Sequence, residues 1–209
     1  MFLETILIIF IFLFSVILHE ISHGEMAKLL GDPTAEISGR LSLNPLKHLD
    51  PFGSIILPGF LLLLRFLSPT KEGIIFGWAK PVPINPYNFK NQKIDSAKVA
   101  IAGPLANIFL ALIFSLLIRI LPSTPVFFLN LKAVSSLIVW VNLTLAIFNL
   151  VPIPPLDGSH ILFAFLPSNT QKIKFFLQIY GPFLLIFFIF FGFQYLILVV
   201  DWLFRIFVG

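Results

Sequence analysis

Apolar residues follow one another along this chain in long runs, with no regular alternation with polar residues. Three runs, at about 98–121, 132–151 and 175–198, each reach the roughly 20 residues that a helix needs to cross the hydrocarbon layer of a membrane. A further run at 2–18 continues in a helical pattern to Leu30. The pattern therefore predicts an all-α polytopic membrane protein with about four transmembrane helices.

The apolar run at 55–67 is too short for a full span, and a Pro-Gly pair interrupts it. We expect it to be a re-entrant or interfacial segment. The basic residues support this topology, because they concentrate between Lys28 and Lys98, whereas the loop between the next two spans holds little beyond Arg119 and Lys132. Since lysine and arginine accumulate in cytoplasmic loops, we expect the N-terminus outside and the middle segment in the cytoplasm of a multi-pass cell-membrane protein.

The amino-acid composition also indicates a protein that is surrounded by lipid. Of 209 residues, 58% are hydrophobic and 11% are charged, against about 25% charged in a soluble domain. This excludes a secreted or cytosolic globule, a disordered chain and a nucleic-acid binder, and the absence of cysteine excludes disulfides and thiolate metal sites. We expect one membrane-embedded domain over 1–209. Its least apolar part, 68–97, includes a short extended segment on the cytoplasmic side, GWAKPVPIN at 77–85, whose two prolines disfavour a helix.

Ionisable residues interrupt the first span in the sequence His19-Glu20-Ile21-Ser22-His23. A helix rises about 1.5 Å per residue, so His19 lies about 24 Å from the start of the span, inside a hydrocarbon layer about 30 Å thick. The spacing puts both imidazoles on one helix face, where they can hold one zinc ion. Glu20 can then take a proton from a water molecule that zinc activates. The alternative is a polar helix end that has left the bilayer.

A catalytic zinc ion takes three protein ligands and keeps one position open, so the third ligand here is His, Asp or Glu. Asp157 is the favoured candidate, because the prolines at 152–155 stop the preceding helix, and irregular backbone at membrane depth lines a cavity or is buried in protein. Two crossings separate Asp157 from the end of the first helix, which puts both in one leaflet. The alternative is a loop aspartate that caps the next helix. His160 is a lesser candidate, and His48 is interpreted as a solvated or interfacial histidine.

Three motifs in this order resemble the site-2 protease family of intramembrane zinc metalloproteases, peptidase family M50: HEISH at 19–23, AGPLAN at 102–107 and NLVPIPPLDG at 149–158. The linker sequences NPLKHLDPFGSIILP and FGWAKPVPINP are similar to the short bacterial and archaeal branch of that family. We expect the short form, without a PDZ or CBS domain. The resemblance implies that His19, His23 and Asp157 bind one zinc ion per chain and that Glu20 is the general base.

Two asparagines receive a role from the same resemblance. It implies that Asn149 lies near the metal and helps to hold the substrate carbonyl, and that Asn107 is an active-site polar group. The alternative for both is hydrogen bonding between helices, because an amide in lipid must find a partner. Gly103-Pro104 is interpreted as a helix start with proline in the first turn.

The favoured function is therefore an intramembrane zinc metalloendopeptidase that hydrolyses peptide bonds in or near transmembrane segments, close to the cytoplasmic face. Its partners would be the lipid bilayer and a membrane protein or membrane peptide as substrate, with no nucleic acid. An extended substrate could pair with the segment at 77–85. Two alternatives stay open: an ion or proton pathway built on the same residues, and a catalytically silent family member.

Overall fold

The computed structural model describes residues 2–50, 80–122 and 124–209, with Gly53, Ile56, Phe60 and Leu63 as isolated residues between the first two ranges. Most of the segment predicted at 55–67 lies outside the described residues, and so does the first part of the segment at 77–85. The rest of that second segment, at 80–85, forms neither helix nor strand, and Asn85 at its end has extended backbone angles.

The described residues form seven α-helices, and no strand occurs among them. Their bounds are α1 (Phe2–Leu29), α2 (Thr34–Ile37), α3 (Gln92–Ile120), α4 (Val126–Asn149), α5 (Asp157–Phe165), α6 (Gln171–Phe191) and α7 (Phe193–Val208). Four of these described helices, α1, α3, α4 and α6, are long and apolar enough to cross a membrane. The predicted all-α polytopic class is confirmed.

Helix α3 lies at the centre of the bundle and packs against α1, α4 and α5. The main apolar core lies where α3 and α4 meet α7, and its buried members are Ala111, Ile118, Val139, Leu143, Leu196 and Val200. A smaller cluster of Ala27, Phe89 and Val99 joins the end of α1 to the start of α3. The C-terminal end of α1 and the N-terminal end of α3 are thus neighbours, and the functional candidates gather there.

Helix α3 begins well before the Gly-Pro pair that the sequence suggested as a helix start. Its N-cap is Asn91, whose side chain accepts a hydrogen bond from the Ile94 N–H, while the Asp95 carboxylate accepts one from the Asn91 N–H at 2.9 Å. This reciprocal cap satisfies two N–H groups and fixes the helix start at Gln92. The predicted start was therefore wrong. Pro104 lies inside α3 and is fully buried, although proline lacks the N–H that an interior helical position needs.

The last predicted span, at 175–198, is also wrong in its bounds. The structure has α6 up to Phe191, a break at Gly192 and then the separate helix α7. Glycine is the weakest helix former after proline, so the break falls where helix propensity is lowest. Apolar residues continue on both sides of Gly192, which is why the hydrophobic pattern showed one run there.

A buried carboxylate ties the end of α1 to the segment before α3. Asp32 is completely buried; its Oδ2 accepts a hydrogen bond from the Asn85 N–H at 2.7 Å, and its Oδ1 accepts one from the Asn88 amide at 2.7 Å. The Thr34 hydroxyl and N–H also donate to Oδ1. Burial by itself raises the pKa of Asp32, but these hydrogen bonds favour the charged form more strongly and hold the pKa below its usual value.

Candidate metal centre

The two histidines of the first motif lie side by side on α1. Their Nε2 atoms are 3.0 Å apart, and their rings meet edge to face at 86°. His19 and His23 are both buried, with 5% and 6% of their surfaces exposed. The four-residue spacing thus brings both imidazoles to one face of the helix, as the sequence predicted.

Asp157 completes the cluster from the other end of the sequence. Its Oδ2 lies 3.1 Å from Nε2 of His19 and 3.3 Å from Nε2 of His23. The carboxylate is the first residue of α5, and a tight turn after α4 carries it there. The next residue of α5, Gly158, lies so close to the end of α4 that an added Cβ would be 2.2 Å from the carbonyl oxygen of Leu150. Within the described part of the chain, these three residues form the one group that could hold a metal ion.

The other ring nitrogens of both histidines face hydrogen-bond acceptors. Nδ1 of His19 lies 2.6 Å from Oδ1 of Asn107, and Nδ1 of His23 lies 2.7 Å from the carbonyl oxygen of Val99. A neutral imidazole has one N–H, so in the neutral form that binds a metal each ring carries its proton on Nδ1 and a lone pair on Nε2. Such outer hydrogen bonds are typical of metal-binding histidines, whose tautomer and orientation they fix.

The donor set fits a divalent cation. Three lone-pair donors, two imidazole Nε2 atoms and one carboxylate oxygen, converge within 3.3 Å of one another. With no proton between them they repel each other, and a cation turns this repulsion into attraction. Gly103 of α3 keeps the adjoining space free, because a Cβ there would lie 2.5 Å from Nε2 of His23 and 2.6 Å from Nε2 of His19. Two histidines and one carboxylate match the ligands of a catalytic zinc site.

A backbone N–H group that belongs to no helix orients Glu20. Its Oε2 accepts a hydrogen bond from the Val82 N–H at 2.8 Å, and Val82 belongs to the non-helical segment at 80–85. Arg40 fixes that segment, since its guanidinium donates to the carbonyl oxygens of Lys80, at 2.7 Å, and Pro81, at 3.1 Å. The candidate base is therefore oriented by backbone that precedes α3.

The other predicted site residues differ in their burial and in their distance from the metal cluster. Asn107 is completely buried and contacts His19 directly. The amide of Asn149 donates to the carbonyl oxygen of Leu145 in its own helix at 3.0 Å. Its described hydrogen bonds include none to the three-residue cluster, so its role stays a prediction. His160 is exposed on α5 and lies outside the cluster.

The interpretation of His48 as solvated or interfacial was wrong. This side chain is completely buried, and its Nε2 lies 2.7 Å from the carbonyl oxygen of Ser42. Its own carbonyl oxygen accepts a hydrogen bond from the Lys80 N–H at 2.9 Å. His48 is thus buried in the connection between α2 and α3, where its basic neighbours in sequence indicated a water-facing loop.

The sequence analysis did not identify the buried polar residues that lie behind the metal cluster. Asn142 of α4 is completely buried and hydrogen-bonds both Asn107 and Ser15. An asparagine in the middle of an apolar run is itself a signal, because lipid offers its amide no partner. The carbonyl of Val99 and the N–H of Val82 left no such signal, since every residue except proline carries both groups.

Fold and cluster together define a polytopic membrane protein with a buried centre of two histidines and one carboxylate. A family model of peptidase family M50 matches residues 117–191. YwhC of Bacillus subtilis, provisionally named a zinc metalloprotease, is 39% identical over 159 residues, which cover 74% of this chain and 66% of YwhC. Rip2 of Mycolicibacterium smegmatis, with the same provisional description, is 34% identical over 80% of this chain and 60% of Rip2.

MJ0611 of Methanocaldococcus jannaschii, also provisionally named a zinc metalloprotease, is 34% identical over 43% of this chain and 46% of its own length. No solved structure matches the chain. The chain belongs to peptidase family M50, the site-2 protease family. It spans 66% of the length of YwhC and 60% of the length of Rip2.

Proposed function

We propose that this protein is an intramembrane zinc endopeptidase that hydrolyses peptide bonds in or near transmembrane segments of membrane proteins, close to the cytoplasmic face. The observation that carries the proposal is the convergence of His19, His23 and Asp157 in a bundle with four helices that are long and apolar enough to cross a membrane. Family membership and the names of the relatives support the same activity.

Zinc is the metal that this ligand set suits. His19 and His23 would each donate Nε2, and Asp157 one carboxylate oxygen, which leaves a net charge of +1 at the site. A bound zinc ion would act as a Lewis acid that polarises a peptide carbonyl and lowers the pKa of a water molecule towards about 7. A site of three protein ligands leaves a position for the reactants.

Glu20 moves the proton. Its carboxylate takes a proton from the attacking water and passes it to the amine of the leaving peptide. The hydrogen bond from the Val82 N–H occupies Oε2 and leaves Oε1 to serve as the base. Asn149 is proposed to donate to the oxyanion that develops on the substrate carbonyl, for which its amide must turn away from Leu145.

The substrate must present unwound backbone, because a helix uses its own carbonyl groups in hydrogen bonds. The segment at 80–85 is the proposed contact for such a peptide, although the Val82 N–H is already engaged by Glu20. The excess of basic residues between Lys28 and Lys98 supports a site on the cytoplasmic side and an N-terminus outside.

The test is Glu20→Gln in the purified full chain, with cleavage of a model membrane peptide and zinc content both measured. Because a general base contributes about 10²–10⁴-fold to the rate, we expect cleavage to fall by at least that factor while zinc content stays near one per chain. Glu25→Gln is the matched control, since Glu25 is an exposed carboxylate on the same helix. Full cleavage by the Glu20→Gln protein would disprove the proposal.

A further inference from the structure

A buried hydrogen-bond network joins α1, α3 and α4 behind the metal cluster. Asn107 of α3 and Asn142 of α4 have no exposed surface, and Ser15 of α1 is 4% exposed. At membrane depth neither water nor lipid can satisfy these groups, so each must find its partners within the protein. The network is therefore closed, and the direction of each of its hydrogen bonds can be worked out.

The orientation of the Asn142 amide follows from a backbone carbonyl. One end of this amide lies 2.9 Å from the carbonyl oxygen of Ile138 and 3.0 Å from Oγ of Ser15. A carbonyl oxygen only accepts hydrogen bonds, so this end is the NH₂ group. The oxygen of Asn142 therefore points the other way, towards Asn107.

The orientation of the Asn107 amide follows in turn. Its nitrogen lies 2.8 Å from Oδ1 of Asn142 and 3.3 Å from the carbonyl oxygen of Ser15, and both atoms accept hydrogen bonds. Its oxygen therefore faces Nδ1 of His19, at 2.6 Å. That contact requires a proton on Nδ1 of His19, so in the neutral imidazole the lone pair is on Nε2, the atom that faces Asp157.

We propose that Asn142 is a positioning residue that sets the tautomer of His19 through Asn107, although it touches neither the cluster nor the histidine. Without it, Asn107 keeps one long donor contact, to Ser15 at 3.3 Å, and its amide can turn over. The turned amide would donate to Nδ1 of His19, and the imidazole proton would move to Nε2, where it blocks metal binding. This consequence for zinc rests on the proposed function, whereas the tautomer itself does not.

His23 provides an internal comparison. Its Nδ1 donates to the carbonyl oxygen of Val99, a backbone group that cannot turn over and that Asn142 does not contact. A change at Asn142 should therefore alter the tautomer of His19 and leave that of His23 unchanged. A general loosening of the fold would alter both.

The experiment is nitrogen-15 NMR of the full chain with labelled histidine, in lipid and without metal, on the wild type and on Asn142→Leu, Asn142→Ala and Asn142→Asp. The control is Ser135→Ala on the same helix, which removes a buried hydroxyl that has no hydrogen-bond partner among the described residues. We expect a proton on Nδ1 of both histidines in the wild type, the control and Asn142→Asp, whose neutral carboxyl group still accepts from Asn107. In Asn142→Leu and Asn142→Ala we expect Nδ1 to lose its proton at His19 alone.

Zinc affinity, measured by chelator competition with the metal alone, provides a second readout. Changes behind a metal ligand weaken binding by about 10–100-fold, and we expect a loss of that size in Asn142→Leu and Asn142→Ala but not in Asn142→Asp. The alanine variant repeats the test with a smaller side chain if the leucine variant does not fold.

Several outcomes would overturn the inference. The wild-type spectrum is decisive without any variant, because an unprotonated Nδ1 at His19 in the folded, metal-free protein contradicts the deduced hydrogen-bond directions. Unchanged His19 in the leucine and alanine variants contradicts the role of Asn142, as does an equal change at His23. Absence of peptide cleavage by the wild type would disprove the proposed function and leave the tautomer result standing, so the two failures are distinguishable.

Discussion

The motif at 19–23 contains two kinds of candidate residue, the metal-binding histidines and the general base, and they are oriented by different parts of the molecule. The histidines are fixed by side chains and a backbone carbonyl that belong to long helices: Asn107 and Val99 of α3, with Asn142 of α4 behind them. Glu20, one residue along the same helix, is fixed by the N–H of Val82, which belongs to no helix. The comparison shows that the proposed metal ligands are oriented by the helical bundle and the proposed base by a segment outside it.

The difference has a physical reason. A metal site requires ligands placed to within a few tenths of an ångström, which packed helices provide because their backbone cannot shift locally. A base must reach water and substrate, and non-helical backbone can offer its free N–H groups to a carboxylate there. We therefore expect changes in the bundle to affect zinc content and changes in the segment at 80–85 to affect the rate alone.

The largest effect is expected at Asp157. Asp157→Ala removes one of the three proposed ligands, so we expect zinc per chain to fall from near one to near zero and cleavage to stop, as metal analysis beside a cleavage assay will measure. The loss should exceed the about 100-fold that changes behind a ligand cause. His160→Ala is the matched control, because this exposed histidine lies on the same short helix. Zinc retained in Asp157→Ala would show that the carboxylate is no ligand.

An intermediate effect is expected at Val82. Val82→Pro removes the N–H that donates to Glu20, and a hydrogen bond to a charged group contributes about 1.5–3 kcal/mol, so we expect cleavage to fall about 10–100-fold. Zinc content should not change. Val82→Ala shortens the same side chain but keeps the N–H, and it should cleave at nearly the wild-type rate. If the proline variant instead lost its zinc, the separation between bundle and segment would be wrong.

The smallest effect is expected at Asp32, which joins the two regions. Its pKa is lowered in the folded protein, so its carboxylate stabilises the fold above the unfolded pKa of about 3.9, and this contribution disappears as the pH falls through the lower folded value. We expect Asp32→Asn to lower the free energy of unfolding at pH 7 by about 1–3 kcal/mol. The difference from the wild type should shrink below pH about 4, as thermal unfolding in detergent will measure.

The control for Asp32 is Glu36→Gln. Glu36 is an exposed carboxylate that accepts a hydrogen bond from Lys28 at 2.6 Å, and exposed ion pairs contribute only about 0–1 kcal/mol. A pH-independent loss of stability in Asp32→Asn would show that the side chain acts through its shape and not its charge.

The sequence was most informative at polar and ionisable residues inside apolar runs. The four-residue spacing of the histidines predicted a shared helix face, and counting the crossings put Asp157 in the same leaflet; the distances of 3.1 and 3.3 Å agree with both. The same reasoning could have found Asn142, because an amide in an apolar run needs a partner wherever it lies.

Other features could not be predicted from the sequence. The break at Gly192 lies inside continuous apolar sequence, so hydrophobicity does not mark it. The start of α3 depends on a cap made by Asn91 and Asp95 in a stretch that is otherwise polar. His48 could not be predicted either. Its neighbours in sequence are basic, yet its side chain is completely buried, and its carbonyl oxygen accepts a hydrogen bond from Lys80 of the segment at 80–85.

The closed network of Ser15, Asn107 and Asn142 also bears on how the molecule is made. As the ribosome delivers helices to the membrane one at a time, α1 arrives with a hydroxyl and two imidazoles that hydrocarbon cannot satisfy, and α3 brings a buried amide of its own. The last partner is Asn142, in the C-terminal half of α4. Until Asn142 is inserted, the polar groups of α1 and α3 lack their partner in lipid. We therefore expect α1 and α3 to assemble in the membrane together with α4.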